Sequence, residues 1–447
     1  MTFDYDLLII GAGPGGLAAS ARAAAYGAKV AIAEQDLVGG TCVIRGCIPE
    51  KLMSFAAEFA DNYQQAAGYG WNQAHYSFDW QQFIAAKEKE IYRLAEVHTQ
   101  SLKEAGVEII QGRASFVDVH TLEVAGRCFT ADKILLAVGG EAVKPKIPGI
   151  EHGITPRHLF NLKQQPKHLA ILGGNYIAVK LAGIMNGLGS QVTLIVAEDY
   201  ILSNFDEEIR LEVSQGMTQR GIEILENTVV KDIESIGEQL NLDLYGIHPQ
   251  TLTVDTVLYG ADRTPSLTGL GLEKAGVQVA QGVVIVDDYN RSTQANIFAV
   301  GDCTNGPSFT PTAIAQARAF VDTQFGNQPH TVNYDYLPVT ISSYPEAATV
   351  GLSEAQAHQK LGDSVRCYRK HFRPLVHSLP KFDEKTFIKL VVDTPSERVL
   401  GAHMVGAEAI EIIQCLALAL RMGATKKDFD QTIGMHPSVA EEFFTLR

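Results

Sequence analysis

At 447 residues the chain exceeds what one hydrophobic core ordinarily fills, and the usual domain size suggests about three to four domains. A composition that is 46% hydrophobic and 20% charged excludes a disordered or fibrous chain, and no apolar run approaches the roughly 18 residues that would cross a bilayer. Thirty-seven basic against fifty-one acidic residues, a net charge of −14, argue against nucleic acid or an anionic membrane surface as a partner. A strand begins at once, with neither a basic leader nor a cleavage site, so a cytoplasmic protein is expected.

In chain order, the apolar run Asp6–Ile10 enters Gly11-x-Gly13-x-x-Gly16, a small-residue helix is expected over 17–26, and a second strand over 29–33 leads to Glu34. That order fits a dinucleotide fold. Gly11 makes the tight turn, Gly13 lets the backbone approach a pyrophosphate, Gly16 lets helix pack on strand, and Glu34 is placed to bind an adenosine ribose. Next come Gly39-Gly40-Thr41-Cys42 and, after four residues, Cys47-Ile48-Pro49. Pro49 and the helix-forming stretch behind it put both cysteines at a helix start, where a thiolate is favoured and four intervening residues allow a ring to close. Two unrelated buried cysteines are the bland alternative. Cys128, Cys303, Cys367 and Cys415 read as small core hydrophobes, and no Cys/His spacing suggests a metal.

Residues 168–178 repeat the layout of 6–16, an offset of 162, with a helix expected over 179–188 and a strand over 191–196. Strands over 256–265 and 295–302 close the two units. Beyond about 339 the pattern changes to short strands with two amphipathic helices. The fold class expected is α/β: two Rossmann-like, three-layer nucleotide-binding domains plus a C-terminal α+β dimerisation domain. The bounds are 1–141 for the first domain with its dithiol, 142–264 for the second, 265–335 for the return to the first, and 336–447 for the last. Near the end, His436 stands five residues before Glu441, and an imidazole held by a carboxylate can serve as the base of a thiol cycle.

With the motifs Gly-Gly-Thr-Cys-x4-Cys, Gly301-Asp302, Thr310-Pro311 and His436-Pro-x3-Glu441-Glu442 in place, the chain resembles the class I pyridine nucleotide-disulfide oxidoreductases over nearly its whole length, and within them the glutathione reductase branch. The resemblance implies FAD, held through positions that include Thr41, Asp302 and Thr310. It implies a homodimer in which His436 and Glu441 serve the partner's site, an interchange role for Cys42 toward a small-molecule or protein disulfide, and a flavin-facing role for Cys47.

Departures from the family pattern cluster in two places. In the second unit, Gly173 is kept but the middle glycine is Asn175. The nicotinamide lid Tyr176 and Arg263 match, whereas the 2′-phosphate cations are replaced by Ala197, Glu198 and Ser203, and a glycine is replaced by Asp262. NADPH is therefore expected to bind weakly, with NADH, or a protein donor such as an iron–sulfur protein, as alternatives; a redox sensor with little turnover is a further one. The family's flavin-side Lys–Glu pair is exchanged to Glu50 and Lys180. At the substrate end, Pro14, Ala21, Glu90 and His98 replace the family's glutathione contacts, leaving Arg318.

Overall fold

The structure, a computed structural model, describes residues 2–72, 77–260, 262–380 and 383–447. The expected strand over 256–265 is interrupted at Ala261, which lies outside the described residues.

Tyr5–Ile10 is buried on both sides and forms the middle of a parallel sheet, pairing Ile10 with Ala33 of Val30–Glu34 and with Leu136 of the long strand Arg127–Leu136. Glu108–Gln111 lies outside Val30–Glu34, and Ile297–Ala299 closes the other edge. Between strand and strand run α1 (Pro14–Ala25), α2 (Gly40–Arg45), α3 (Cys47–Ala66) and α4 (Trp80–Glu104). The first helix starts at Pro14, three residues earlier than its composition suggested, because proline is favoured in a first turn and the glycine turn runs straight into the helix.

The second unit repeats this plan. After the short α5 (Pro156–Leu159), His168–Leu172 is flanked by Gln191–Ile195 and Thr256–Leu258, with Glu223–Leu225 outside, all parallel. Its helices are α6 (Tyr176–Gly187) and α7 (Glu207–Gln219). Leu172 pairs with Ile195 as Ile10 pairs with Ala33, so the two glycine turns superpose in register. The chain enters this unit through Gly140–Ala142 and leaves through Arg263–Pro265, and these two strands pair antiparallel.

After α8 (Thr310–Gln324) the C-terminal part forms a five-stranded antiparallel sheet in the order 339–341, 347–351, 399–405, 386–393, 365–372. Two of its strands have eight residues, and among the described residues it carries three helices where two were expected: α9 (Glu354–Leu361), α10 (Ala409–Arg421) and α11 (Lys426–Gln431). A Ser353/Gln356 capping box and a Thr425/Asp428 box fix α9 and α11, which are too short to show apolar periodicity. Among the described residues no helix is long and apolar enough to cross a membrane.

Candidate active site

Three helix N-termini meet around the cysteines. Cys47 is the first residue of the twenty-residue α3, and its Sγ lies 3.7 Å from the hydroxyl of Thr310, the first residue of α8. From the third, α6, Lys180 Nζ reaches Glu50 Oε1 on α3 at 2.7 Å, with both side chains mostly buried. Both cysteines are free thiols. Only Cys47 begins a long helix; Cys42 sits inside the separate α2, because Gly46 breaks the chain between them.

The Cys42 thiol, donating to the neighbouring sulfur, holds the Cys47 thiolate down at about 6, assisted by the Thr310 hydroxyl and Lys180 and opposed by burial and by Glu50. Cys42 is pushed up, first by that same shared proton and then by burial. One thiolate and one thiol at neutral pH is the state a dithiol nucleophile requires.

Two glycines of the first turn, Gly11 and Gly16, are sterically fixed. A Cβ on Gly11, whose φ is +102°, would lie 2.5 Å from the carbonyl oxygen of Ala137, and one on Gly16 would lie 1.9 Å from that of Gly11. Gly13 precedes α1 without a side-chain cap, so the first amides of that helix stay open to an anion. Glu34 ends the second strand, nearly buried, and accepts from the N–H of Ala12 and of Asp36, both at 2.8 Å; burial raises its pKa. Thr41 is exposed in α2. Asp302 lies in a turn held by Gln316, which accepts from the Gly301 N–H at 2.7 Å, a support that nothing in the sequence signalled. Thr312 Oγ1, one residue pair beyond Thr310 in α8, is buried with no partner. An uncapped helix start, two glycines that refuse a Cβ with an open Gly13 between them, and an orphaned hydroxyl in the first turn of α8 fit a bound dinucleotide of the FAD type.

The second unit is different. A cavity of about 580 Å³ opens at the carboxyl ends of its strands and is lined by Gly173, Asn175, Tyr200, Glu198, Ser203 and Asp262, among others. Its lining includes two carboxylates and, among the described residues, no basic side chain. Asn175 caps α6: its Oδ1 accepts from Ile177 N–H at 3.0 Å and from Ala178 N–H at 3.2 Å. Tyr176 stands between Phe309, 6.1 Å away between ring centroids, and Lys180, 5.5 Å from the ring centre, and burial raises its phenol pKa. Phe309 has no sequence signal as a neighbour of the lid. Arg263, expected beside the nicotinamide, donates to Gly140 O at 2.6 Å and Asp302 Oδ2 at 3.2 Å, near enough to Tyr176 to act on its phenol.

At the substrate end, Arg318 is exposed on α8, Glu90 is held by Arg93 on α4 at 2.7 and 2.8 Å, and Pro14 and Ala21 line α1. His98 lies on α4. His436, on the C-terminal domain, has a side chain 81% exposed, and its Nδ1 is 3.0 Å from Glu441 Oε1. The Ser438 N–H, and then His436, hold the Glu441 carboxyl below its usual range.

Residues 5–317 match the family model for pyridine nucleotide-disulphide oxidoreductase, and residues 337–447 match that for its dimerisation domain. The chain is 52% identical over 459 residues to a Nostoc protein named glutathione reductase, covering all of both chains. It is 43% identical to one of the same name from Burkholderia cepacia, over all of this chain and 99% of that one. A chloroplastic/mitochondrial glutathione reductase of Pisum sativum is 39% identical over all of this chain and 82% of its own length.

Proposed function

This chain belongs to the class I pyridine nucleotide-disulphide oxidoreductases and is a flavoprotein disulfide reductase of the glutathione reductase type, and on that premise we propose that Cys42 and Cys47 reduce a disulfide substrate within a homodimer. The observation that carries this reading is the setting of Cys47, which begins α3 with the Thr310 hydroxyl 3.7 Å from its sulfur and the Glu50–Lys180 pair one turn along the helix.

FAD, held by Gly11, Gly13, Gly16, Glu34, Thr41, Asp302 and Thr310, supplies when bound the two-electron centre that restores the dithiol. The Cys42 thiol gives its proton to His436 of the partner subunit, which Glu441 orients through Nδ1. The Cys42 sulfur then attacks one sulfur of the substrate, the substrate S–S bond breaks, and the first thiolate leaves, taking that proton. The Cys47 thiolate attacks the Cys42 sulfur, the mixed disulfide breaks, and the second thiolate leaves as Cys42 and Cys47 join. Two electrons pass from the dithiol to the substrate. The four-domain division at 141, 264 and 335 is part of this proposal; its support is the paired ribbon 140–142 and 263–265 through which the chain crosses twice.

The name glutathione reductase, borne by the three relatives, points to glutathione disulfide. With Arg318 kept, but Ala21 and the Glu90–Arg93 pair at the other positions, we assign the enzyme a disulfide less anionic than glutathione disulfide as its better substrate. A second reading, in which a protein rather than NADPH or NADH donates the electrons, is favoured by the cavity whose charged lining is Glu198 and Asp262. The test is a single turnover without any nicotinamide. Holoenzyme reduced anaerobically with one equivalent of dithionite, two electrons per chain, should release two thiols per chain from glutathione disulfide or cystamine, with cystamine reacting faster, and the Cys42→Ser variant should release none. Wild-type enzyme that releases no thiol from either compound would overturn the reading.

A further inference from the structure

We propose that Asn175 closes the second nucleotide unit to a dinucleotide by capping its own helix. The inference rests on the disulfide-reductase reading and concerns only its nicotinamide arm.

The first unit supplies the control. Gly13 has φ −78° and ψ −175°, and Asn175 has φ −78° and ψ 174°, so one backbone conformation serves both. Each follows, by two residues, a glycine with positive φ, +102° at Gly11 and +116° at Gly173. In each, the next residue begins a twelve-residue helix. What differs is the side chain. Behind Gly13 no side chain accepts from the first amides of α1, whereas Asn175 Oδ1 already takes the amides of Ile177 and Ala178. Those amides and the positive end of the helix dipole are what a pyrophosphate uses at such a turn. For a dinucleotide to bind, the Asn175 side chain must give up both bonds and leave the space.

Two further observations point the same way. Beside the turn, the cavity lining presents Glu198 and Asp262 and, among the described residues, no basic side chain, while the Arg210 guanidinium next to it lies over the Tyr200 ring, 3.8 Å from its centre. The register also removes the ribose hook that would favour NADH. Glu34 follows Ala33, the partner of Ile10, and Val196 follows Ile195, the partner of Leu172; an apolar, fully buried side chain occupies the place of the ribose-binding acid. Glu198 lies two residues further on, where its backbone carbonyl is fixed by the Asn227 N–H at 3.0 Å.

Calorimetric titration of the oxidised holoenzyme with NADP+ and, separately, with NAD+, which carry the same pyrophosphate but no hydride to transfer, tests this without reference to turnover. The wild type is expected to bind both with a Kd weaker than about 100 μM. Removing the cap should tighten both by about five- to thirty-fold, the worth of a helix cap expressed as a binding ratio. Asn175→Gly should gain most; Asn175→Ala, suited to the extended backbone at this position, should gain less and covers the case in which the glycine variant folds poorly. Low-micromolar binding by the wild type would overturn the proposal, as would folded variants that bind no tighter than the wild type. Thiol release from glutathione disulfide or cystamine by the same wild-type preparation reports on the dithiol reading separately, so the two can fail independently.

Discussion

Gly13 and Asn175 occupy equivalent places in two copies of one strand–turn–helix unit, yet one leaves its helix amides open and the other consumes them. The contrast separates keeping a fold from keeping its ligand. The first unit is held to its glycines by the binding turn itself: a Cβ at Gly16 would overlap the backbone at 1.9 Å, whereas the equivalent residue of the second unit, Ala178, carries a Cβ and is buried without difficulty. The second unit is held by something else. Asp206, just past the cavity loop, caps α7 through the Glu208 N–H at 3.1 Å and binds the fully buried Lys389 of the C-terminal sheet at 2.8 and 2.9 Å. Lys389 also reaches Glu354 at 2.8 Å and Glu208 at 2.7 Å. Removing one partner from such a buried cluster is costly, on the order of 3–5 kcal/mol, so the unit braces the C-terminal sheet through contacts that do not involve its cavity.

The comparison can be broken most sharply by one exchange made in both units. Gly16→Ala should cost the protein most of its bound flavin, read as flavin absorbance per chain after purification, because the backbone must shift to admit the methyl. Ala178→Gly should leave the flavin content unchanged and lower stability by only about 1 kcal/mol, the helix penalty of glycine. Equal flavin loss in the two variants would show that the units are not sterically distinct.

A smaller effect sharpens the account of the brace. His403 is buried against it, accepting from the Thr349 hydroxyl through Nδ1 and donating through Nε2 to Leu352 O at 3.1 Å, and burial lowers its pKa from 6.5 to about 4. Between those values the unfolded chain binds a proton that the folded protein refuses. Stability therefore falls as pH drops from 6.5 toward 4, by about 3 kcal/mol at most. Asp206, whose pKa is lowered, and Glu354, lowered to about 2, lose their contributions only at more acid pH. Urea unfolding midpoints measured across this window should decline for the wild type and stay flatter for His403→Gln.

The smallest effect lies between the units. Lys180→Met removes a cation that favours the Cys47 thiolate and leaves Glu50, which opposes it. In the reduced enzyme, the thiolate absorbance that titrates at about 6 should move up by roughly one unit. An unmoved titration would show that the exchanged pair does not act on the dithiol.

Much of this was legible in the chain. Glycine spacing, the alternation of apolar strand and small-residue helix, and the repeat at 162 residues each carry a local physical requirement, and the two sheets follow from them. The Cys-x4-Cys pair and the His436–Glu441 pair were legible for the same reason, since their partners are near in sequence. Cys42 was misplaced relative to a helix start because the break at Gly46 depends on how α2 packs. The bonds of Arg263 to Gly140 and Asp302 were not legible, because sequence order does not reveal which groups a side chain on the paired ribbon meets.

By itself the sequence determined which residue types stand at the two turns, the reversed signs of Glu50 and Lys180, and the absence of cations where a 2′-phosphate would need them. Only the tertiary structure decided that Asn175 turns back onto its own helix, that Val196 stands in the register of Glu34, and that Asp206 meets Lys389 across 183 positions of chain. The reason is physical. A capping residue or a buried ion pair is chosen by which hydrogen-bonding groups packing leaves unmatched, and that is settled only when distant segments come together.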